Sequence, residues 1–179
     1  MKKILIIASS TRRNGNTDLL AQQFARGAEE NGNQVEMLFL RDYKIDYCLG
    51  CWMCYKNNGD CIQKDDINKL YPKLIEADVI VFAAPTYFYS IDGRMKTFLD
   101  RMITTYGKMR DKDFYYITAS QDSNRQSLES VFETFHGFAR CFSEIREKGR
   151  IYGVGADLKG DVKSTPAYKE AYEMGKTIM

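Results

Sequence analysis

The chain has 179 residues, 44% of them apolar and 28% charged, the scale of one soluble globular domain with a sizeable core. Lys and Arg number 26 against 24 Asp and Glu, for a net charge of +2, so nothing favours nucleic acid or an anionic membrane as a partner. No stretch approaches the ~20 apolar residues of a membrane span.

The N-terminus, MKKILIIASSTRR, imitates a signal peptide. Its apolar run, Ile4 to Ala8, is shorter than the ~7–15 residues such a segment needs, and Arg12 and Arg13 follow. The expectation is a cytoplasmic protein with reduced thiols and no disulfide framework.

Lys3 to Ala8 reads as a strand buried on both faces. The polar loop SSTRRNGNT leads into a helix, DLLAQQFARGAEENG, with Leu20, Phe24 and Ala28 on one face and Gly32 as its stop. QVEMLFL is the second strand, and a cysteine-rich loop covers 47–64. DDINKLYPKLIEAD sets Ile67, Leu70, Tyr71, Leu74 and Ile75 on one helical face, with Pro72 expected to kink it. VIVFAA is the third strand and the most hydrophobic, followed by PTYFYS. Met95, Phe98, Leu99, Met102 and Ile103 mark the next helix, and FYYITAS the fourth strand. Leu128, Val131, Phe132, Phe135, His136 and Ala139 form another stripe, on which His136 reads as a core or interface residue. Cys141 lies beyond that stripe and is expected to be a small buried hydrophobe. GRIYGVG is the fifth strand. Thr165 then stands as N-cap and Pro166 as first residue of a closing helix.

Alternating strands and helices imply a doubly wound α/β fold, one parallel five-stranded sheet with helices on both faces. The expected strand order is flavodoxin-like, 2-1-3-4-5, in a single domain over 1–179. In such sheets ligands bind beyond the carboxyl ends of the strands, where the order reverses. The loops after strands one and three meet there. The first, Ser9 to Thr17, offers hydroxyls at Ser9, Ser10, Thr11 and Thr17, amides at Asn14 and Asn16, and a helix N-terminus that attracts a phosphate monoester. The same residues also suit a polar turn with an N-cap. The second, Pro85, Thr86, Tyr87, Phe88, Tyr89 and Ser90, presents three aromatics on which a planar ring could lie, or which could pack under a loop. SQDSN, starting at Ser120, closes the site from a third side. A phosphate on one loop and a flat ring on the other describe FMN.

Four of the five cysteines fall in the fifteen residues from Tyr47 to Cys61. Cys48, Cys51 and Cys54 recur every third residue, with Cys61 beyond, the C-x2-C-x2-C run of iron–sulfur ligation. A 4Fe–4S cradle ranks first, free thiols around Trp52 second, zinc third. No Ser-His-Asp or H-E-x-x-H arrangement occurs, and no residue is assigned as catalytic.

These motifs resemble a known group. STRRNGNT resembles the G-S-P-R-x-x-G-N-T phosphate loop of the NAD(P)H-dependent FMN reductase group of flavodoxin-like proteins. PTYFYSIDGRMKTFLDR resembles that group's P-x-Y-[FW]-…-G-x-x-K-x-F-x-D-R segment. CLGCWMCYKNNGDCIQKDD resembles the cysteine motif of the iron–sulfur flavoproteins, a branch of the same group. The resemblance implies Ser10, Arg12, Asn16 and Thr17 as phosphate ligands, and Pro85, Thr86, Tyr87, Phe88 and Tyr89 against the isoalloxazine. Ser9 stands where the group has Gly, and Thr11 where it has Pro. Lys96, Asp100 and Arg101 match the pattern and read as solvated or subunit-pairing residues. The implied activity is FMN-dependent electron transfer from a reduced donor, ferredoxin-like or NAD(P)H, to a small acceptor. The implied assembly is a homo-oligomer, dimer or tetramer, in which one chain's cysteine loop nears the other's flavin. A cluster-free FMN or quinone reductase and a flavodoxin-like carrier are the alternatives.

Overall fold

In a computed structural model that describes residues 1–179, Lys3–Ala8 forms β1 at the interior of the sheet. It pairs in parallel with β2 (Gln34–Phe39) on one side and β3 (Val79–Tyr87) on the other, Ile6 lying between Met37 and Val81. Beyond β3 come β5 (Lys112–Ala119) and β6 (Ile145–Gly153), both parallel. The order β2-β1-β3-β5-β6 is the expected one, with one short strand added. That strand, β4 (Ser90–Ile91), folds back antiparallel on β3, with Tyr87 opposite Ser90.

Side chains alternate across the sheet, which splits its apolar residues into two cores. Leu5, Ile7, Ile80, Phe82, Phe114 and Tyr116 face α3 (Tyr71–Glu76), α4 (Gly93–Asp100) and α5 (Glu129–Ala139). Ile4, Ile6, Val79, Val81, Tyr115 and Ile117 face α1 (Asn16–Glu30) and α6 (Pro166–Lys176). Both faces are covered, as the unbroken apolar runs require. No helix is long and apolar enough to cross a membrane.

Local chemistry sets the element ends. Gly32, at φ 82°, closes α1, with its N–H on Glu29 O and that of Asn33 on Ala28 O. The helix expected over 65–78 is two pieces, a tight turn over Asp66–Lys69 and then α3. Pro72 lies in the first turn of α3, where its missing N–H costs nothing, so it starts a helix rather than kinking one. Thr165 does occupy the N-cap of α6, but its hydroxyl donates to Val162 O and leaves the helix N–H groups uncapped by side chain. β6 begins at Ile145, ahead of the expected start, because its first half is a charged edge that hides the strand pattern. Within 47–64 the one helical turn is α2 (Met53–Lys56), entered through Trp52 at φ 56°.

α1 and α6 touch backbone to backbone. A Cβ on Gly175 would lie 2.0 Å from Phe24 O, whereas one on Gly137 of α5 would meet nothing within 4 Å. Urea unfolding is expected to find Gly175→Ala destabilised by about 1–3 kcal/mol through overpacking. Gly137→Ala, which only restricts the unfolded chain, should gain about 0.4–1 kcal/mol.

Candidate functional site

The loop from β1 into α1 is built as a cradle. Gly15 is the N-cap of α1, and no side chain caps the helix. The first-turn N–H groups therefore carry a positive dipole end that the protein leaves without a side-chain partner. Ser10 Oγ accepts from Arg12 N at 3.2 Å, and Gly15 N–H donates to Arg12 O at 2.9 Å. A Cβ on Gly15 would meet Arg12 O at 3.0 Å and Ser10 Oγ at 3.2 Å, so the tight approach suits glycine.

A buried ion pair supports this loop from below. Arg41, just after β2, donates Nη1 to Asp18 Oδ2 at 2.9 Å and to Ser10 O at 2.8 Å. Asp18 Oδ2 also accepts from Asn14 N at 3.0 Å. The pair's side chains are 9% and 0% exposed, and burial pushes the Asp18 carboxyl up against the pull of Arg41.

Ser10, Arg12, Asn16 and Thr17 line a cleft of about 170 Å³ that Pro85, Thr86, Tyr87 and Ser120 close from the far side. The Asn16 amide is spent elsewhere. Its Nδ2 donates to Ala156 O and Leu158 O, and its Oδ1 accepts from Gly160 N, so it straps the segment before α6. Asn14 lies outside the cleft, at φ 54°, with its Oδ1 accepting from Gln22 Nε2. A shallower trough continues past Thr86 and Ser120 to Phe88 and Tyr89.

The β3–β4 connection is a two-residue turn. Phe88 and Tyr89 both take left-handed backbone, at φ 47° and 59°, the geometry of the turns that match hairpin twist. Asn-Gly is the usual choice there. Bulky residues in this region cost of order 1–3 kcal/mol each, and such strain gathers at ligand sites. Phe88 is 103% exposed and Tyr89 66%. Thr11 Oγ1 lies 3.4 Å from Tyr87 OH, which links the two loops.

The four cysteines line a second cavity of about 250 Å³, under the 47–63 segment and against Arg101, Ile103 and Thr104. Cys48 and Cys51 are exposed, Cys54 and Cys61 half-buried, and no three are drawn to the spacing of a single ion. Trp52, 64% exposed, stacks on Tyr55 at 5.3 Å.

Arg101 departs from its expected solvated or subunit-pairing role, being 1% exposed and bonded to Asp65 and Cys61 within the chain. The signal was present: it follows Phe98 by three residues and shares the inward face of Met95, Phe98 and Met102. Lys96 and Asp100 form an exposed i,i+4 pair, which contributes little. The core reading of His136 and the buried reading of Cys141 are corrected. His136 is half-exposed, with Nδ1 on Glu147. Cys141 is exposed, because α5 ends at Ala139 and the chain turns outward.

The parallel sheet and the cleft between the β1 and β3 loops define the flavodoxin-like class of α/β proteins. Residues 2–143 match the NADPH-dependent FMN reductase family, and the chain belongs to it. An iron–sulfur flavoprotein of Archaeoglobus fulgidus is 43% identical over 101 residues, 56% of this chain and 48% of that one. The chain thus spans about half the length of that relative. A Bacillus subtilis protein described as a putative NAD(P)H-dependent FMN-containing oxidoreductase is 29% identical over 170 residues, 89% of this chain and 88% of that one. In fold, an azoreductase from Bacillus anthracis superposes with a TM-score of 0.78 at 16% identity, covering 99% and 100% of the two chains.

Asp92 joins the site's two halves. Its Oδ1 accepts from Arg94 N and Met95 N at the start of α4, and its Oδ2 accepts from Ser9 Oγ. Burial pushes its carboxyl above the ordinary value, with Ser9 and the cap bonds opposing. A raised folded-state pKa means this group's stability is full in acid and lost as pH rises through that value. Asp92→Asn, which keeps the cap acceptor, should therefore melt above the parent at neutral pH, with the gap closing toward about pH 4. Asp92→Ala should lose about 0.5–2 kcal/mol throughout. Thermal melts against pH read both outcomes.

Proposed function

We propose that the protein is an FMN-dependent oxidoreductase, passing electrons from a reduced donor, NAD(P)H or ferredoxin-like, to a small acceptor by way of a 4Fe–4S cluster. One observation carries the flavin half: the uncapped N-terminus of α1 opens into a cleft bordered by Pro85, Thr86 and Tyr87 at the end of β3. The Ser10 and Thr17 hydroxyls, Arg12 and the first N–H groups of α1 would hold the phosphate. Asn16 would act through its backbone, since its side chain is engaged. Pro85 to Tyr89 and Ser120 would border the ring. FMN, when bound, supplies the acceptor for hydride or single electrons, and needs no protein base. This chain's residues would orient it.

The cysteine cavity offers the donor set of a cluster. Its donors are four thiols without a histidine, lining one space. The iron–sulfur flavoprotein relative supports the same reading. A second reading is a cluster-free FMN reductase with these thiols free, in keeping with the Bacillus subtilis relative's description as an FMN-containing oxidoreductase.

We also propose a homo-oligomer in which electrons cross between chains. α4 spans about 12 Å between the hairpin and Arg101, so within one chain the cavity and the ring site sit at opposite ends of a helix. Exposed Trp52, Tyr55, Phe88 and Tyr89 offer the apolar surface that such pairing would cover.

Heat-released ligand from purified protein should run as FMN, and FAD or no flavin would overturn the flavin reading. Thr17→Ala should weaken FMN binding by about 1–3 kcal/mol. Protein prepared without oxygen should carry iron and sulfide, both lost in Cys51→Ala while FMN remains. One equivalent of zinc would refute the cluster. For the assembly, a Cys51 variant mixed with a phosphate-loop variant should regain activity as hybrids. Hybrids that stay inactive, or a fully active monomer, would refute the cross-chain route.

A further inference from the structure

Residues 47–64 form a long loop with little regular structure, yet its base is pinched by one buried ion pair. Arg101 Nη1 donates to Asp46 O at 2.6 Å and to Asp65 Oδ2 at 2.7 Å. Nη2 donates to Asp65 Oδ1 and to Cys61 Sγ, each at 3.2 Å. Asp65 in turn accepts from Asp46 N at 2.9 Å and Ile67 N at 3.2 Å. The Arg101 and Asp65 side chains are each 1% exposed. One guanidinium thus touches the residue before the loop, the residue after it, and the last of its four cysteines. The Arg101 carbonyl is fixed as well, accepting from Tyr71 OH at 3.0 Å and Thr104 Oγ1 at 3.3 Å.

Burying an ion pair is costly, and an apolar pair of similar volume commonly serves stability as well. The planar fork explains what the pair adds. It satisfies a carboxylate with two parallel bonds and still has N–H groups for a carbonyl and a sulfur, which a lysine cannot do. We propose that Arg101, oriented by Asp65, is the positioning residue of the cysteine cradle: it closes the 46–65 loop, fixes Cys61 Sγ, and through its Nη2–H raises the reduction potential of the cluster held there. This rests on the cluster reading above. N–H groups donated to ligand sulfur, and nearby positive charge, stabilise the more negative reduced state of an iron–sulfur centre. Such outer partners also orient the ligands.

The test compares the parent protein, prepared without oxygen, with Arg101→Lys, which keeps the charge but loses the fork. The control is Lys96→Ala, on the exposed face of the same helix. A paired variant, Arg101→Met with Asp65→Leu, leaves no uncompensated charge and serves should Arg101→Lys not fold. Arg101→Lys is expected to retain FMN, to shift the cluster's midpoint potential downward with a changed electron paramagnetic resonance signal, and to release iron to a chelator about 10-fold faster. Amide exchange should quicken across 47–64 and not in the central strands. An unchanged potential and iron-release rate, with parent-like exchange in the loop, overturns the proposal. If the parent holds no iron, the cluster reading fails by itself. Loop exchange and the alkylation rate of Cys61, each altered by Arg101→Lys or each unchanged, then decide the positioning role.

Discussion

The constraint on which this structure depends is the pairing of β1 on both edges. A strand buried on both faces must place every backbone N–H and C=O in a ladder, since no water reaches it. β1 does so against β2 and β3, and the ladder runs on past its end, Ser9 N–H donating to Ala83 O at 3.0 Å. That pairing brings the loop after β1 beside the loop after β3. Neither makes a cleft alone. Together they set an uncapped helix N-terminus opposite Pro85, Thr86 and Tyr87 at the end of β3.

Two of the loops, the one after β1 and the cysteine segment, are then each held by a buried arginine–carboxylate pair. Arg41 and Asp18 brace the Ser9–Thr17 loop from beneath, and Arg101 and Asp65 close the base of the cysteine segment. In both, the arginine also donates to a loop carbonyl, Ser10 O or Asp46 O. The charges are expensive to bury, and what they supply is position. A polar loop has few apolar contacts with which to hold its shape, so a fork of directed bonds replaces packing.

The hairpin after β3 shows the opposite economy. Phe88 and Tyr89 occupy backbone that favours glycine or asparagine, and their side chains remain in solvent. The sheet tolerates the strain because the turn is anchored on both sides, by the Thr86–Ile91 and Tyr87–Ser90 pairs and by Ser130 Oγ donating to Tyr89 O. Strained, exposed aromatics beside a cleft are a surface prepared for contact rather than for stability.

The amino-acid order by itself determined the element sequence, the parallel sheet and its strand order, because unbroken Ile- and Val-rich runs admit few other placements. It also marked the two loops that meet at the cleft and the run of four cysteines, whose short-range spacing survives any folding. It could not tell which polar side chains would be consumed by the protein itself. The Asn16 side-chain amide is spent as a strap; Arg101, read as solvated or subunit-pairing, is buried on Asp65. His136 is half-exposed against Glu147, and Cys141 is exposed because α5 stops at Ala139. Those outcomes belong to tertiary structure: hydrogen bonds between residues 55 or 144 positions apart carry no local pattern, and only the closed fold decides which donors meet which acceptors.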